Sequence, residues 1–313
     1  MCIRDRLDIV RELTAPDLAA YLRDPRWAPY ATWEPPKGTN GVFLNTEVAP
    51  FDRVEVRRAV AAAIDWDAVV SLRPKQMVHA TQMVPPAVVG HDPSFAGQRH
   101  DLAAALEHMR AAGLAYDAAR GEGGWPEPIR YVTIAESSEP LVAQIVAQQL
   151  AAIGIRLDLR ILSWPTFLAE VGKRGHAAMG YAGWSLDYPD ASDFFEPLFA
   201  SQAIQDEESQ NQAFFASPEL DGLLARAHRE LSAPARAAMY RRAEEIVRDE
   251  APWALGYGYR SLDLAQPRVH AFTVDRVHAP DVRRVWLDEG ARDAARGARR
   301  LPPPARLRAW GRP

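Results

Sequence analysis

At 313 residues, 48% of them hydrophobic, the chain is long enough for one large or two ordinary domains with a packed core. Its 37 Lys and Arg stand against 41 Asp and Glu, a formal net charge of -4, so no general basic field is available for nucleic acid. The single cysteine, Cys2, rules out a disulfide framework or a cysteine-built metal site, and no run reaches the roughly 18 apolar residues of a membrane span.

The first residues, MCIRDR, lack the charged start, apolar middle and cleavage site of a secretory signal; read literally, they put the chain in the cytoplasm. Leu7 to Val10 reads as a strand. A short helix capped by Thr14 or Asp17 follows, then a Pro-rich segment ending at Pro35 and Pro36. Gly41 to Thr46 is a compact apolar strand. Asp52 opens a helix with Val56, Val60, Ala63 and Ile64 on one face, and a second short helix runs from Asp65 to Leu72. Arg73 to Gly97 reads as irregular. Its His79 and His91 have no second ligand at a recognisable spacing, so no metal site is expected. Asp101 caps a helix that Gly113 stops. The glycines of 121–128 lead into Trp and Pro, not into a Lys and a helix, which excludes a phosphate cradle.

Ile129 to Ala135 is a strand, and Ser137 or Ser138 caps a helix that reaches Ile153 and stops at Gly154. Ile155 to Leu162 alternates apolar and charged residues, the mark of a strand with one wet face. Strand, helix and strand with short links make a crossover unit of an α/β sheet. A helix from Ser163 to Gly172 and a strand from Ala177 to Gly183 come next. Beyond them, 201–212 reads as polar and exposed. Ser217 caps a helix to about Leu231, Ala233 to Asp249 is a long helix stopped by Pro252, and Trp253 to Tyr259 and Val269 to Val274 are strands. From about Glu289 the chain is rich in Arg and Pro without periodicity, the composition of a disordered or non-native tail and not of a nucleic-acid arm.

The stretch between those halves, GWSLDYPDASDFFEPLF (Gly183 to Phe199), carries the chemistry. It sets Trp184, Tyr188 and three acids, Asp187, Asp190 and Asp193, in a loop between a strand and a helix. Loops at the carboxyl ends of strands are where α/β folds meet ligands, and an acid beside an aromatic can pair with a cation and stack on its carrier. A purely structural reading stands beside this one: Asp190 or Ser192 caps the helix, Pro189 ends the strand and Trp184 is core.

Five stretches, in order, resemble the solute-binding proteins of peptide-uptake ABC transporters, the oligopeptide- and dipeptide-binding group with nickel-binding relatives. They are FLNTEVAPFDRVEVRRAVAAAID (Phe43 to Asp65), QQLAAIGIRLDL (Gln148 to Leu159), AGWSLDYPD, NQAFFASPELDGLLARA and YRRAEEIVRDEAPW. The resemblance runs from about Leu7 to Asp288. It implies an α/β, periplasmic-binding-protein-like (type II) lobe, a mixed sheet flanked by helices. In peptide-binding members the acid of the G-W-x-x-D motif receives the ligand's α-ammonium, a role that falls here to Asp187, with Trp184 and Tyr188 lining the cleft. It further implies a peptide or other small solute as ligand, an ABC permease as partner, a monomer without cofactor, and a periplasmic or lipid-anchored location. On this reading 1–40 is a remnant of the first lobe, 41–252 the second, ligand-binding lobe, 253–288 return strands to the first, and 289–313 the tail. Ala191 stands where many relatives have Pro. Three other functions share the residues: the same scaffold holding a sugar or metal chelate, a sensor domain, and a hydrolase using Asp187 with Asp190 or Asp193 as acid and base. The last rests on proximity alone, so no enzyme is expected.

Overall fold

The computed structural model describes residues 8–11, 13, 15–23, 30–136, 138–266, 268–272 and 282–288. The tail 289–313, Cys2, Thr14 and Ser137 lie outside them. Contacts divide the chain into two units, one made of residues up to Glu34 and from Ser261 onward, the other of Pro35–Arg260.

The smaller unit opens with β1 (Ile9–Val10), α1 (Ala15–Arg23) and β2 (Ala31–Trp33), and the larger begins at β3 (Gly38–Leu44). There follow α2 (Val54–Ala63), α3 (Trp66–Val70), β4 (Met77–His79), α4 (Leu102–Ala111), a hairpin of β5 (Tyr116–Asp117) and β6 (Glu122–Gly123), then β7 (Ile129–Ile134), α5 (Glu139–Ala151), β8 (Leu157–Leu162), α6 (Trp164–Val171), β9 (Met179–Ser185), α7 (Ser192–Phe199), α8 (Pro218–Ala227), α9 (Ala233–Glu250) and β10 (Trp253–Tyr259). The chain then returns to the smaller unit as β11 (Leu262–Ala265), β12 (Val269–His270) and β13 (Trp286–Leu287).

In the smaller unit β1, β11 and β2 form an antiparallel sheet in that order, over a small core of Leu18, Leu262 and Leu264. Asp263, fully buried, is paired with Arg11 Nε at 3.0 Å. The strand read from Val269 to Val274 is shorter: it spans Val269–His270, where His270 stacks on Trp286.

The larger unit is built on a six-stranded mixed sheet in the order β4-β10-β3-β9-β7-β8. β7 is parallel to β8 and β9, whereas β3 runs antiparallel to β9 and β10. Helices cover both faces, because alternate residues of a strand point to opposite sides. Val42, Leu44, Tyr131, Met179 and Ala254 join one core with α2, α3, α4 and α5. Phe43 and Trp253, next to them in sequence, point the other way, and Trp253 packs edge-on to Phe199 of α7 with ring centroids 5.7 Å apart. This is the mixed, helix-flanked α/β arrangement expected from the sequence.

Local chemistry explains most element ends. Asp101 Oδ1 accepts the Ala104 N–H at 2.9 Å, Asp65 Oδ1 caps α3 and Ser217 Oγ caps α8. Gly113 and Gly154 follow their helices with φ of 76° and 79°, the left-handed conformation that glycine adopts without a Cβ clash. Four expectations are corrected. Residues 73–97 are not wholly irregular, since Met77–His79 pairs with β10 as an edge strand. Ser138 precedes α5 without capping it, its Oγ turning instead to Tyr259 Oη at 3.1 Å. β8, at the other edge, lacks a clean wet face, and Ile161 is half exposed. Within 201–212, Ser209 and Asn211 are buried, and Asn211 exchanges hydrogen bonds with the backbone of Phe215.

Candidate functional site

Because β7, β8 and β9 are parallel, their carboxyl ends reach the same edge of the sheet, and the segments that follow them leave that edge together. β9 extends through Ser185, so Trp184 is a strand residue facing Thr39 of β3, not a loop residue. Its ring is partly buried, and its indole N–H makes no hydrogen bond of good geometry. Buried Leu186 anchors the start of the loop, its N–H donating to the Lys37 carbonyl at 2.8 Å. The chain then turns outward, so that Asp187 and Tyr188 are exposed before α7 begins.

The three acids meet different fates. Asp193, in the first turn of α7 and 2% exposed, accepts the Asp187 N–H on Oδ2 at 2.9 Å. Burial raises its pKa, and the charge of Asp187 pushes it the same way; the Asp187 and Tyr188 amides and the Trp184 indole favour its ionised form. Asp190 is gripped from behind. Its Oδ1 accepts from Arg236 Nη2 at 2.7 Å and from the Ser192 N–H and hydroxyl, while Oδ2 takes Arg236 Nη1. Burial acts to raise the Asp190 pKa, but the Arg236 guanidinium and the Ser192 donors outweigh it and hold the carboxyl below its ordinary range. Asp187 has no hydrogen-bond or ion-pair partner for its carboxylate among the described residues, although its amide is tied to Asp193. Tyr188, 44% exposed, places its hydroxyl 3.2 Å from Ser192 Oγ.

A second segment frames this loop. Val89 bridges to Asp190 in parallel, and the run before it is held by Glu244 of α9, whose two carboxylate oxygens accept the Met83 and Val84 N–H groups at 2.9 Å each. Thr39 Oγ1 donates to the Met83 carbonyl at 2.9 Å. At the same sheet edge, after β7, buried Glu139 accepts from Tyr257 Oη at 2.5 Å and Tyr259 Oη at 2.9 Å; nearby, Tyr181 Oη donates to Asn40 Oδ1. Burial raises the Glu139 pKa against the pull of those two hydroxyls.

The arrangement can pair a cation with Asp187 beside an aromatic ring, while the other two acids of the loop, Asp190 and Asp193, are engaged by the protein. His91 Nδ1 donates to the Val84 carbonyl at 2.8 Å and His79 lies 3.6 Å from Asp67; no group among the described residues is fit to hold a metal ion. Of the residues named from the sequence, Trp184 lies near the end of β9, and Asp187 and Tyr188 lie in the exposed turn that follows it. The sequence reading missed the grip of Arg236 on Asp190, and that of Glu244, which stands inside the YRRAEEIVRDEAPW stretch but whose partners Met83 and Val84 are 161 and 160 residues away.

Residues 2–206 match the family model of the bacterial extracellular solute-binding proteins, family 5 (middle region). The chain belongs to that family. Among curated family relatives, heme-binding protein A of Haemophilus influenzae is 28% identical over 242 residues, which cover 75% of this chain and 42% of that protein. Di/tripeptide-binding protein 2 of Pseudomonas aeruginosa is 26% identical over 279 residues, covering 87% and 49%. The solved structure of the ABC transporter-associated periplasmic binding protein DppA of Helicobacter pylori, in complex with the peptide STSA, shares the fold with a TM-score of 0.72 at 22% identity, over 91% of this chain and 53% of that one. The chain thus spans about half the length of the curated relatives it matches. The type II periplasmic-binding-protein fold expected from the sequence is the fold of these solved family 5 structures.

Proposed function

We propose that this family 5 chain carries the ligand-binding lobe of a receptor that captures peptides for uptake through an ABC permease, and that Asp187 pairs with the ligand's α-ammonium. One observation carries the reading: of three acids in one loop, Asp190 and Asp193 are engaged by the protein, and Asp187 alone presents an unpaired carboxylate, at the carboxyl edge of the sheet. A charge pair taken out of water is favourable only when well matched, so an acid kept free at a ligand edge selects a cationic end group. Trp184 and Tyr188 line the same edge, and contacts to the ligand backbone leave its side chains free to vary. The larger unit is the ligand-binding lobe; the protein works outside the cytoplasmic membrane, periplasmic or lipid-anchored, and does no chemistry on what it holds. The relative named for di- and tripeptides supports a short peptide as ligand.

Calorimetric titration with tri-alanine and with N-acetyl-tri-alanine tests this. The free peptide binds, and either acetylation or Asp187→Ala weakens it at least about thirtyfold, the lower range for breaking a desolvated charge pair. Equal binding of both peptides, or turnover of either, would overturn the reading.

A further inference from the structure

Two features of the loop's rear remain once Asp187 is given its role: a second carboxylate three residues away, and an arginine from a distant helix bound to it. We propose that Arg236 is a positioning residue for the ligand loop. It removes Asp190 from competition and holds the turn so that a single negative charge, that of Asp187, faces outward. The inference rests on the reading of Asp187 given above and extends it to residues that touch no ligand.

The geometry of the guanidinium supports this. Nη1 and Nη2 form a fork on the two Asp190 oxygens, Nε donates to the Ala227 carbonyl at the end of α8 at 3.0 Å, and Nη2 also reaches Tyr240 Oη at 3.0 Å. All three nitrogens are engaged, so Arg236 is not itself a docking point for a ligand carboxylate. Its plane lies over the Tyr240 ring at 5.1 Å, and that ring stacks on Phe195 of α7 with centroids 5.8 Å apart. α9 is therefore joined to α7 by packing and to the turn before it by charge. The same helix grips the facing segment through Glu244, and that segment meets the turn at Val89 and Asp190. A lysine cannot reproduce this grip, because an ammonium offers a point charge where a planar fork is needed. Without the pair, Asp190 loses its cation and keeps the Ser192 donors, so its uncompensated charge stands in the same turn as that of Asp187. The turn then loses its fixed back, and the site carries two negative charges instead of one.

Amide exchange and binding test this in two independent arms. In Arg236→Met the Asp187 and Ser192 amides exchange about tenfold faster while those of Gly180–Ala182 hold their rates, and Arg236→Lys falls between. Tri-alanine binds Arg236→Met about tenfold more weakly, and the same substitution in an Asp187→Asn background adds no further loss. The preference for Lys-Ala-Ala over tri-alanine rises in Arg236→Met, a change in charge selectivity that a loss of stability alone does not produce. Should Arg236→Met fail to fold, Asp190→Asn removes the pair from the loop side and carries the same exchange and affinity expectations, but without the rise in preference for Lys-Ala-Ala, because it leaves a single negative charge in the turn. Unchanged exchange at Asp187, or equal losses of affinity in the parent and Asp187→Asn backgrounds, would overturn the inference. If tri-alanine binds neither the parent nor any variant, the peptide reading fails, and the exchange arm still decides the part played by Arg236.

Discussion

Glu244, inside the larger unit, and Asp187, at its rim, are both carboxylates aimed at the same group of loops, and they are treated in opposite ways. Glu244 is fully buried, and each of its oxygens receives a backbone N–H from the segment it holds. Asp187 is exposed, with no partner for its carboxylate among the described residues. Glu139, Asp190 and Asp193 sit nearer the first pattern, each engaged by Tyr hydroxyls, an Arg fork or a backbone amide. The difference separates acids that build the edge from the acid left over for something outside the protein. It also predicts how each responds to substitution, since a buried acceptor is costly to remove and a solvated, unpaired one is not.

The largest effect is expected at Glu244. Glu244→Ala strands the Met83 and Val84 amides and opens a void, which costs about 3 kcal/mol or more in denaturant unfolding. A loss below about 1 kcal/mol would erase the contrast with Asp187.

The pH dependence of stability sharpens the same point. Burial pushes the Glu244 pKa up to about 7 from 4.5, against the two amides that favour its charged form. For an acid raised in the folded state, the native protein holds its proton more tightly than the unfolded chain. Stability from this group is therefore complete below about pH 4.5 and is lost as pH rises through 7, a change of a few kcal/mol. Glu139, also raised by burial, acts in the same direction, whereas Asp190, held low by its Arg236 and Ser192 donors, loses stability only in acid. Melts of the parent between pH 5 and 8 should show stability falling with pH, and Glu244→Gln should flatten that slope. A slope that survives the substitution unchanged would assign it elsewhere.

How much of this was legible beforehand follows from how far each interaction reaches along the chain. The crossover of β7, α5 and β8, the stops at Gly113 and Gly154 and the caps at Asp101 and Ser217 depend on neighbours within one turn, and each was readable from residue type and spacing. β4 was not, because three residues in a Pro-rich run become a strand only by pairing with β10, far along the chain. The fates of the three acids were equally hidden. Nothing near Asp190 announces Arg236, 46 residues on, and Ser138, a plausible cap by type, is turned aside by a tyrosine 121 residues away. The loop's position was local information, while the choice of which acid stays free was not.

A smaller effect is expected at Asp101, an exposed carboxylate that nevertheless has an internal task. Its Oδ1 satisfies the Ala104 amide at the start of α4, so Asp101→Ala should cost about 1 kcal/mol in thermal or chemical unfolding and leave peptide affinity untouched. This variant separates exposure from idleness. If it costs nothing, solvation alone explains why a surface acid is dispensable, and the unpaired state of Asp187 loses its meaning.

The smallest effect on stability is expected at Asp187 itself. Its backbone N–H belongs to the fold, through Asp193, but its side chain does not, so Asp187→Asn keeps the amide bond and removes only the charge. That charge adds to burial in raising the Asp193 pKa, and neutralising it lets Asp193 ionise more easily. With the folded-state pKa of Asp193 brought closer to its unfolded value, the native state at neutral pH is very slightly favoured, and the net change in unfolding free energy stays within about 0.5 kcal/mol of zero. Paired measurements of unfolding and of a carbon-detected NMR titration of Asp193 check both halves. A large loss of stability would mean that Asp187 holds the loop together, as Asp190 does, and a protein that needs this carboxylate for its own architecture has none to offer a ligand.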